Sequence, residues 1–189
     1  MKKKRLYPWS AMFLFCAWIT GATPVLAAEP TSVSFHPGGW GGDGMVVSDS
    51  RLASQAGAAL LEAGGNAVDA AVATAFALAV TYPWAGNLAG GGFAVVHTAG
   101  GMTTSLDFRE TAPAAARPDM FLDARGEVIP DLSLQSHLAA GVPGSVEGLL
   151  TLWEEHGSGR VARADLLAPA IRLAREGFAI DQDLAERLN

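Results

Sequence analysis

The distribution of apolar and polar positions predicts a chain of helices interrupted by one hairpin. Residues 51–63 form a helical run after the N-cap candidates Ser48-Asp49-Ser50, and Gly64-Gly65 ends it. From residue 67 to residue 81 nearly every position is apolar and small, and Pro83 follows. Because a helix that is apolar all round belongs in a core, residues 67–81 are predicted as a central buried helix. Further helices are predicted at 146–156 and 166–176, and another begins near Asp183.

Shorter apolar runs predict strands. Residues 45–47 are predicted as one strand, and residues 93–98 and 102–109 as a hairpin around a turn at 99–101. The second hairpin strand alternates in character, so its side chains divide between two faces. One face holds Met102, Thr104, Leu106 and Phe108, and the other holds Thr103, Ser105, Asp107 and Arg109. Residues 110–138 lack periodicity and are predicted as a long surface connection.

Two helix starts and one bend carry polar or glycine signals. Asn66 is a predicted N-cap with Asp69 three residues on, and Ser145 is predicted to cap the helix that follows Gly141-Val142-Pro143-Gly144. The segment Gly86-Asn87-Leu88-Ala89-Gly90-Gly91-Gly92 is followed by a strand and by no Lys-Ser or Lys-Thr pair. A phosphate-binding loop needs those features, so this segment is predicted as a bend where backbones approach closely.

The N-terminus has the pattern of an export signal. Lys2-Lys3-Lys4-Arg5 precedes an apolar stretch at 11–19, and Val25-Leu26-Ala27 is a small-residue cleavage pattern. We therefore predict a signal peptide at 1–27, a mature start near Ala28 and a periplasmic or extracellular location. The apolar stretch is too short to span a bilayer comfortably, which disfavours a stable membrane anchor. A flexible lead-in is predicted at 28–43 and the folded domain at 44–189.

Composition narrows the function further. The 189 residues are 50% hydrophobic and carry a formal net charge of −6, which suits a domain with a real core. An acidic chain without clustered Lys and Arg in its mature part argues against a nucleic-acid partner. Cys16, the only cysteine, lies in the signal, so the exported product is predicted to have no disulfide.

Candidate chemistry is sparse. The four histidines, at positions 36, 97, 137 and 156, are scattered without ligand spacing, so no metal site or other cofactor is predicted. No Gly-x-Ser-x-Gly elbow supports a serine hydrolase. Arg109 stands out because a guanidinium where the chain leaves the sheet could bind a carboxylate through two hydrogen bonds. The alternative is local pairing with Asp107 or Glu110.

Four motifs together resemble a known family. They are Gly64-Gly65-Asn66-Ala67-Val68-Asp69-Ala70-Ala71-Val72-Ala73, Gly86-Asn87-Leu88-Ala89-Gly90-Gly91-Gly92-Phe93, Leu106-Asp107-Phe108-Arg109-Glu110-Thr111-Ala112-Pro113 and Gly141-Val142-Pro143-Gly144. In order and spacing they resemble the large-subunit part of the γ-glutamyltransferases, also called glutathione hydrolases, from about Gly44 to Asn189. Ala89 departs from the pattern, which has a glycine there.

The resemblance implies an α/β fold, part of a four-layer αββα sandwich of the N-terminal-nucleophile hydrolase type. It implies a precursor that cuts itself and frees the threonine nucleophile of a small subunit. The substrates implied are glutathione and other γ-glutamyl compounds, with water or an amino acid as acceptor. Arg109 matches the arginine that holds the substrate α-carboxylate.

The same resemblance implies that the nucleophile and the other substrate contacts lie beyond residue 189. Thr103-Thr104 is not a substitute, because it lies within a strand and lacks the following His of the cleavage motif. The 189 residues by themselves are therefore expected to be inactive. Two alternatives stay open: a related acylase acting on cephalosporins or poly-γ-glutamate, and an inactive exported protein that binds a γ-glutamyl ligand or a partner chain.

Overall fold

The computed structural model describes residues 44–188, which form six α-helices and one two-stranded sheet. The helices, in chain order, are α1 (Arg51–Glu62), α2 (Ala67–Thr81), α3 (Leu132–Gln135), α4 (Ser145–His156), α5 (Arg163–Glu176) and α6 (Gln182–Leu188). The strands β1 (Phe93–His97) and β2 (Thr103–Asp107) lie between α2 and α3. The mixture of helices and strands confirms the predicted α/β class, and the described part contains a single sheet.

Helices α1 and α2 form a tight helical hairpin. Gly57 of α1 faces α2 so closely that a Cβ would lie 2.8 Å from the Ala70 carbonyl oxygen. Asn66 caps α2 as predicted, with its side-chain oxygen accepting from the backbone N–H groups of Val68 and Asp69. The Asp69 carboxylate accepts from the Asn66 N–H at 2.8 Å, which completes a capping box.

The core surrounds α2, as its apolar sequence predicts. Helices α4 and α5 pack against it through Leu152 and Leu166, which are 4% and 0% exposed. Burying a side chain of this kind contributes about 1.5–3 kcal/mol. The main buried cluster consists of Leu60, Val68, Val72, Ala73, Phe76, Leu149, Leu152, Val161, Leu166 and Ala170.

The hairpin rests on this core by one face. Its strands are antiparallel, with Phe93 opposite Asp107 and His97 opposite Thr103. The predicted alternation is confirmed, because Ala94, Val96, Leu106 and Phe108 pack against the core. The other face is open: Phe93 and Val95 are 65% and 76% exposed.

Three sequence predictions need correction. Residues 45–47 form no strand, because no strand in the described part of the chain pairs with them. Helix α5 begins at Arg163 instead of residue 166, since its first turn is polar and carries no apolar periodicity. Helix α4 is capped by Gly144, and Ser145 is its first helical residue without a capping hydrogen bond.

The connection at 110–138 is mostly exposed, as predicted, although α3 lies within it. Two isolated bridges, Thr111 with Val142 and Leu122 with Val128, give it local order. Among residues 44–188, no helix combines the length and apolar character that a membrane span requires. The predicted signal peptide and lead-in, at 1–43, lie outside the described residues.

Candidate functional site

Arg109 is exposed and lies two residues beyond the end of β2, which ends at Asp107 and is therefore shorter than the strand predicted at 102–109. Its backbone N–H donates to Asp107 Oδ1 at 2.9 Å, so Asp107 orders the turn through the main chain. Within residues 44–188 the Arg109 guanidinium makes no ion pair. The alternative of local pairing with Asp107 or Glu110 is therefore not what the structure contains, and the five N–H donors of the guanidinium remain available.

Two cavities meet at Arg109. The larger, of about 430 Å³, is lined by Arg109 and Glu110 together with apolar side chains of the 110–140 region such as Met120 and Phe121. The smaller, of about 290 Å³, lies between the end of β2 and α4. Asp107 and Glu147 line that smaller cavity with Arg109. Within residues 44–188, an unpaired guanidinium thus lies beside open space, and this group suits a ligand that carries a carboxylate.

Glycines enclose the backbone on which Arg109 stands. A Cβ on Gly91 would lie 2.7 Å from both Arg109 Cα and Glu110 N. A Cβ on Gly144 would overlap the Phe108 carbonyl oxygen, and one on Gly148 would overlap the Phe108 side chain. The predicted close approach of backbones at the Gly86–Gly92 bend is confirmed. As a consequence, the backbone of Arg109 is closely packed.

The same bend is hydrogen-bonded to the start of α4. Gly90 O accepts from Gly144 N at 2.8 Å and from Ser145 N at 3.0 Å. Asn87 Oδ1 accepts from Gly90 N at 2.8 Å and from Ser145 Oγ at 2.5 Å. Sequence reasoning assigned no role to Asn87 and gave Ser145 a different one. The Asn-x-x-Gly order is the one local signal that was present, because asparagine side chains often bond nearby backbone N–H groups.

Other chemistry-bearing residues are not brought together. Thr103 lies in β2, where its hydroxyl is 2.8 Å from His97 Nδ1. His156 Nε2 is 3.8 Å from Glu155 at the end of α4. No group of three or more His, Cys, Asp or Glu side chains with metal-binding geometry occurs in the described part of the chain.

Comparison with known proteins decides the family. Residues 53–189 match the family model described as gamma-glutamyltranspeptidase. The chain belongs to the gamma-glutamyltranspeptidase family. The resemblance read from the four sequence motifs is thereby confirmed.

Two relatives illustrate the similarity. The glutathione hydrolase proenzyme of Escherichia coli K12 is 49% identical over 145 residues, which cover 77% of this chain and 25% of the relative. The gamma-glutamyltranspeptidase structure from Helicobacter pylori is 50% identical with a TM-score of 0.75, covering 80% of this chain and 43% of that one. The chain thus spans about a quarter of the length of the curated relatives that it matches.

The acylase alternative is more distant within this family. A cephalosporin acylase structure from Bacillus halodurans is 34% identical with a TM-score of 0.68, covering 84% of this chain and 29% of that one. Its identity to this chain is lower than that of the two relatives above.

Proposed function

We propose that the protein is a γ-glutamyltransferase and glutathione hydrolase in which Arg109 binds the α-carboxylate of the γ-glutamyl substrate. The observation that carries this proposal is the Arg109 guanidinium, which is unpaired among residues 44–188 and lies beside two cavities on a backbone closely packed by glycines. A planar fork of donors matches a carboxylate through two parallel hydrogen bonds. Membership of the family supplies the substrate class.

In this proposal the chemistry is completed by a small subunit released from the same precursor. Its N-terminal threonine hydroxyl attacks the γ-carbonyl carbon of glutathione, and the threonine amine accepts the hydroxyl proton. The C–N bond of the amide then breaks, and cysteinylglycine leaves with a proton on its nitrogen. Water or an amino acid takes the γ-glutamyl group from the threonine oxygen. Arg109 contributes by fixing the glutamyl end of the donor while this exchange occurs.

The proposal includes the four-layer αββα sandwich. In that architecture a second sheet covers the open face of the hairpin, where Phe93 and Val95 are now exposed. Side chains this apolar, side by side on one face of a sheet, favour burial against another sheet. The core-facing side of the hairpin rests on helices, which supports assigning residues 44–188 to one helical layer and one sheet layer of the proposed sandwich.

We also propose that the protein is exported, with cleavage after Ala27. The support is the sequence of residues 1–27, which combines basic, apolar and small-residue segments in the order of a signal peptide.

A second candidate function is an acylase acting on cephalosporin side chains or poly-γ-glutamate. The observation that favours it is the structural similarity to the cephalosporin acylase already described. Both functions would use a carboxylate-binding arginine, so the substrate separates them.

The test uses the full-length protein. We expect a precursor that converts to two chains on a denaturing gel and then releases glutamate from glutathione, with γ-glutamyl dipeptides formed when an amino-acid acceptor is added. A glutaryl-cephalosporin and poly-γ-glutamate serve as competing substrates in the same assay. Faster turnover of either one would favour the acylase, and a matured protein that binds glutathione without cleaving it would point to the inactive binding protein.

A further inference from the structure

The position of Arg109 depends on two segments that are distant in sequence. One is the glycine segment, defined here as residues 86–92, and the other is the start of α4. Gly91 packs against the Arg109 backbone, and Gly144 packs against the Phe108 carbonyl group. Any change in the separation of these two segments therefore moves the backbone that carries the guanidinium.

A small set of hydrogen bonds fixes that separation. Two run between backbones, from Gly144 N and Ser145 N to Gly90 O. The third is the side-chain bond from Ser145 Oγ to Asn87 Oδ1, which joins residues 58 positions apart. Asn87 is itself held at both ends of its amide, since Oδ1 also accepts from Gly90 N and Nδ2 donates to Ala85 O at 3.0 Å.

Ser145 is 3% exposed, and Asn87 is the one partner of its hydroxyl within residues 44–188. Burying a hydroxyl group without a hydrogen-bond partner costs free energy. The folded state therefore favours the conformation in which Ser145 Oγ bonds Asn87 Oδ1. Neither side chain lines the cavities beside Arg109, which separates both residues from direct contact with a ligand there.

We propose that Asn87 and Ser145 are positioning residues for Arg109, and that their side-chain hydrogen bond holds the glycine segment and the start of α4 together around the Phe108–Glu110 backbone. This inference rests on the proposed role of Arg109 in binding the substrate α-carboxylate. In this inference, Asn87 and Ser145 influence the affinity for the γ-glutamyl donor although neither residue touches it. Their effect passes through the backbone of Gly90 and Gly91.

The test is a double-mutant cycle in the full-length protein with glutathione as donor. Ser145→Ala should raise KM about 3- to 12-fold, the range expected for the loss of one neutral side-chain hydrogen bond, while kcat changes little. In an Arg109→Ala background the same substitution should change KM less than about twofold, because the group that it positions is gone. Ser145→Thr keeps the hydroxyl and should retain a KM within about twofold of the parent.

A matched control is Thr81→Val, which removes another buried hydroxyl bond, from Thr81 Oγ1 to Ala77 O at 3.0 Å, away from Arg109. It should lower the melting temperature without moving KM in either background. KM does not depend on how much active enzyme a preparation contains, so partial maturation leaves the comparison intact. Asn87→Ala, at an exposed position, repeats the measurement if Ser145→Ala does not accumulate as folded protein.

The outcomes separate the two proposals. If Arg109→Ala raises KM but neither Ser145→Ala nor Asn87→Ala does, the positioning role is overturned and the carboxylate role stands. Equal effects of Ser145→Ala with and without Arg109 would assign it a general structural role and also overturn the inference. A normal KM in Arg109→Ala would overturn the carboxylate role itself, and the positioning role with it.

Discussion

Arg109 is exposed, and its side chain is unpaired in residues 44–188, whereas its backbone is closely packed. Gly91 and Gly144 approach its backbone and that of Phe108 from two sides, and Asp107 binds its N–H. A fixed backbone lowers the number of guanidinium orientations that must be given up on binding. In the proposed carboxylate-binding role, affinity would then be gained by preorganisation as well as by charge.

The first prediction concerns the chemistry of that side chain. Arg109→Ala in the full-length protein should lower kcat/KM for glutathione about 10- to 150-fold, because a charge-assisted hydrogen bond contributes about 1.5–3 kcal/mol. Arg109→Lys should recover only part of the loss, since an ammonium group lacks the planar fork. Steady-state kinetics measure both. Arg117→Ala, which removes another exposed arginine, is the control, and unchanged kinetics in Arg109→Ala would contradict the carboxylate role.

At the scale of elements, Asp69 joins the start of α2 to the end of α4. Its carboxylate is fully buried, and Oδ2 accepts from Asn66 N at 2.8 Å and from Ser158 N at 3.1 Å. The Asn66 side chain strengthens the same junction by donating to His156 O at 2.8 Å. Two helices that are far apart in sequence are therefore joined by these hydrogen bonds.

Asp69→Ala should lower the free energy of unfolding by about 2–4 kcal/mol, because it removes a helix cap and leaves two backbone N–H groups without their partner. Asp69→Asn keeps one acceptor oxygen and should lose less. Asp119→Ala is the control, since the Asp119 side chain forms an exposed ion pair with Arg117, and its loss should change stability by less than about 0.5 kcal/mol. Thermal unfolding of the full-length protein measures all three, and equal melting temperatures for Asp69→Ala and Asp119→Ala would contradict the structural role.

The elements that were predictable are those whose signals are local. Neighbouring residues suffice to predict the asparagine cap and the apolar length of α2, and they also suffice to predict the alternation within β2. The prediction of a strand at 45–47 was wrong because strand formation depends on a partner that a short apolar run does not reveal. Ser145 was misread for a similar reason. A serine after glycine suggests a cap, whereas its real partner, Asn87, lies 58 residues away.

The candidate site shows the same division. Arg109 was found from its place at a strand end and from the family motif, and both signals are local in sequence. That Gly91, Gly144 and Gly148 converge on Phe108 and Arg109 depends on tertiary packing. Glycine runs indicate that backbones come close, but they do not say which backbones.

At the scale of the whole molecule, export is the property that the first residues predict. Mass spectrometry of the secreted or periplasmic protein should find a mature N-terminus at Ala28 or one residue later, because Val25-Leu26-Ala27 is the cleavage pattern. Replacing Ala27 by a bulky residue such as Trp should block the cut and leave the longer chain. An intact Met1 on a membrane-bound product of the unaltered protein would contradict the prediction.

The last prediction concerns residues 44–188 expressed alone, which should not form a stable and active domain. The hairpin has no further strand on either side in this region, so its edge N–H and C=O groups stay unpaired and favour association between chains. Phe93 and Val95 also leave apolar surface exposed on the open face of the sheet. At roughly 25 cal/mol per Å², about 400 Å² of uncovered apolar area forfeits on the order of 10 kcal/mol, comparable to the net stability of a typical domain.

We expect aggregation or a loosely packed state without γ-glutamyl hydrolysis, measured by size-exclusion chromatography, thermal unfolding and glutamate release. Phe93→Ser with Val95→Ser should reduce the aggregation without creating activity, because it removes the exposed apolar pair and supplies no nucleophile. A monomer of the unaltered segment with a sharp cooperative melt would show that this part folds independently and would contradict the proposed cover by a second sheet.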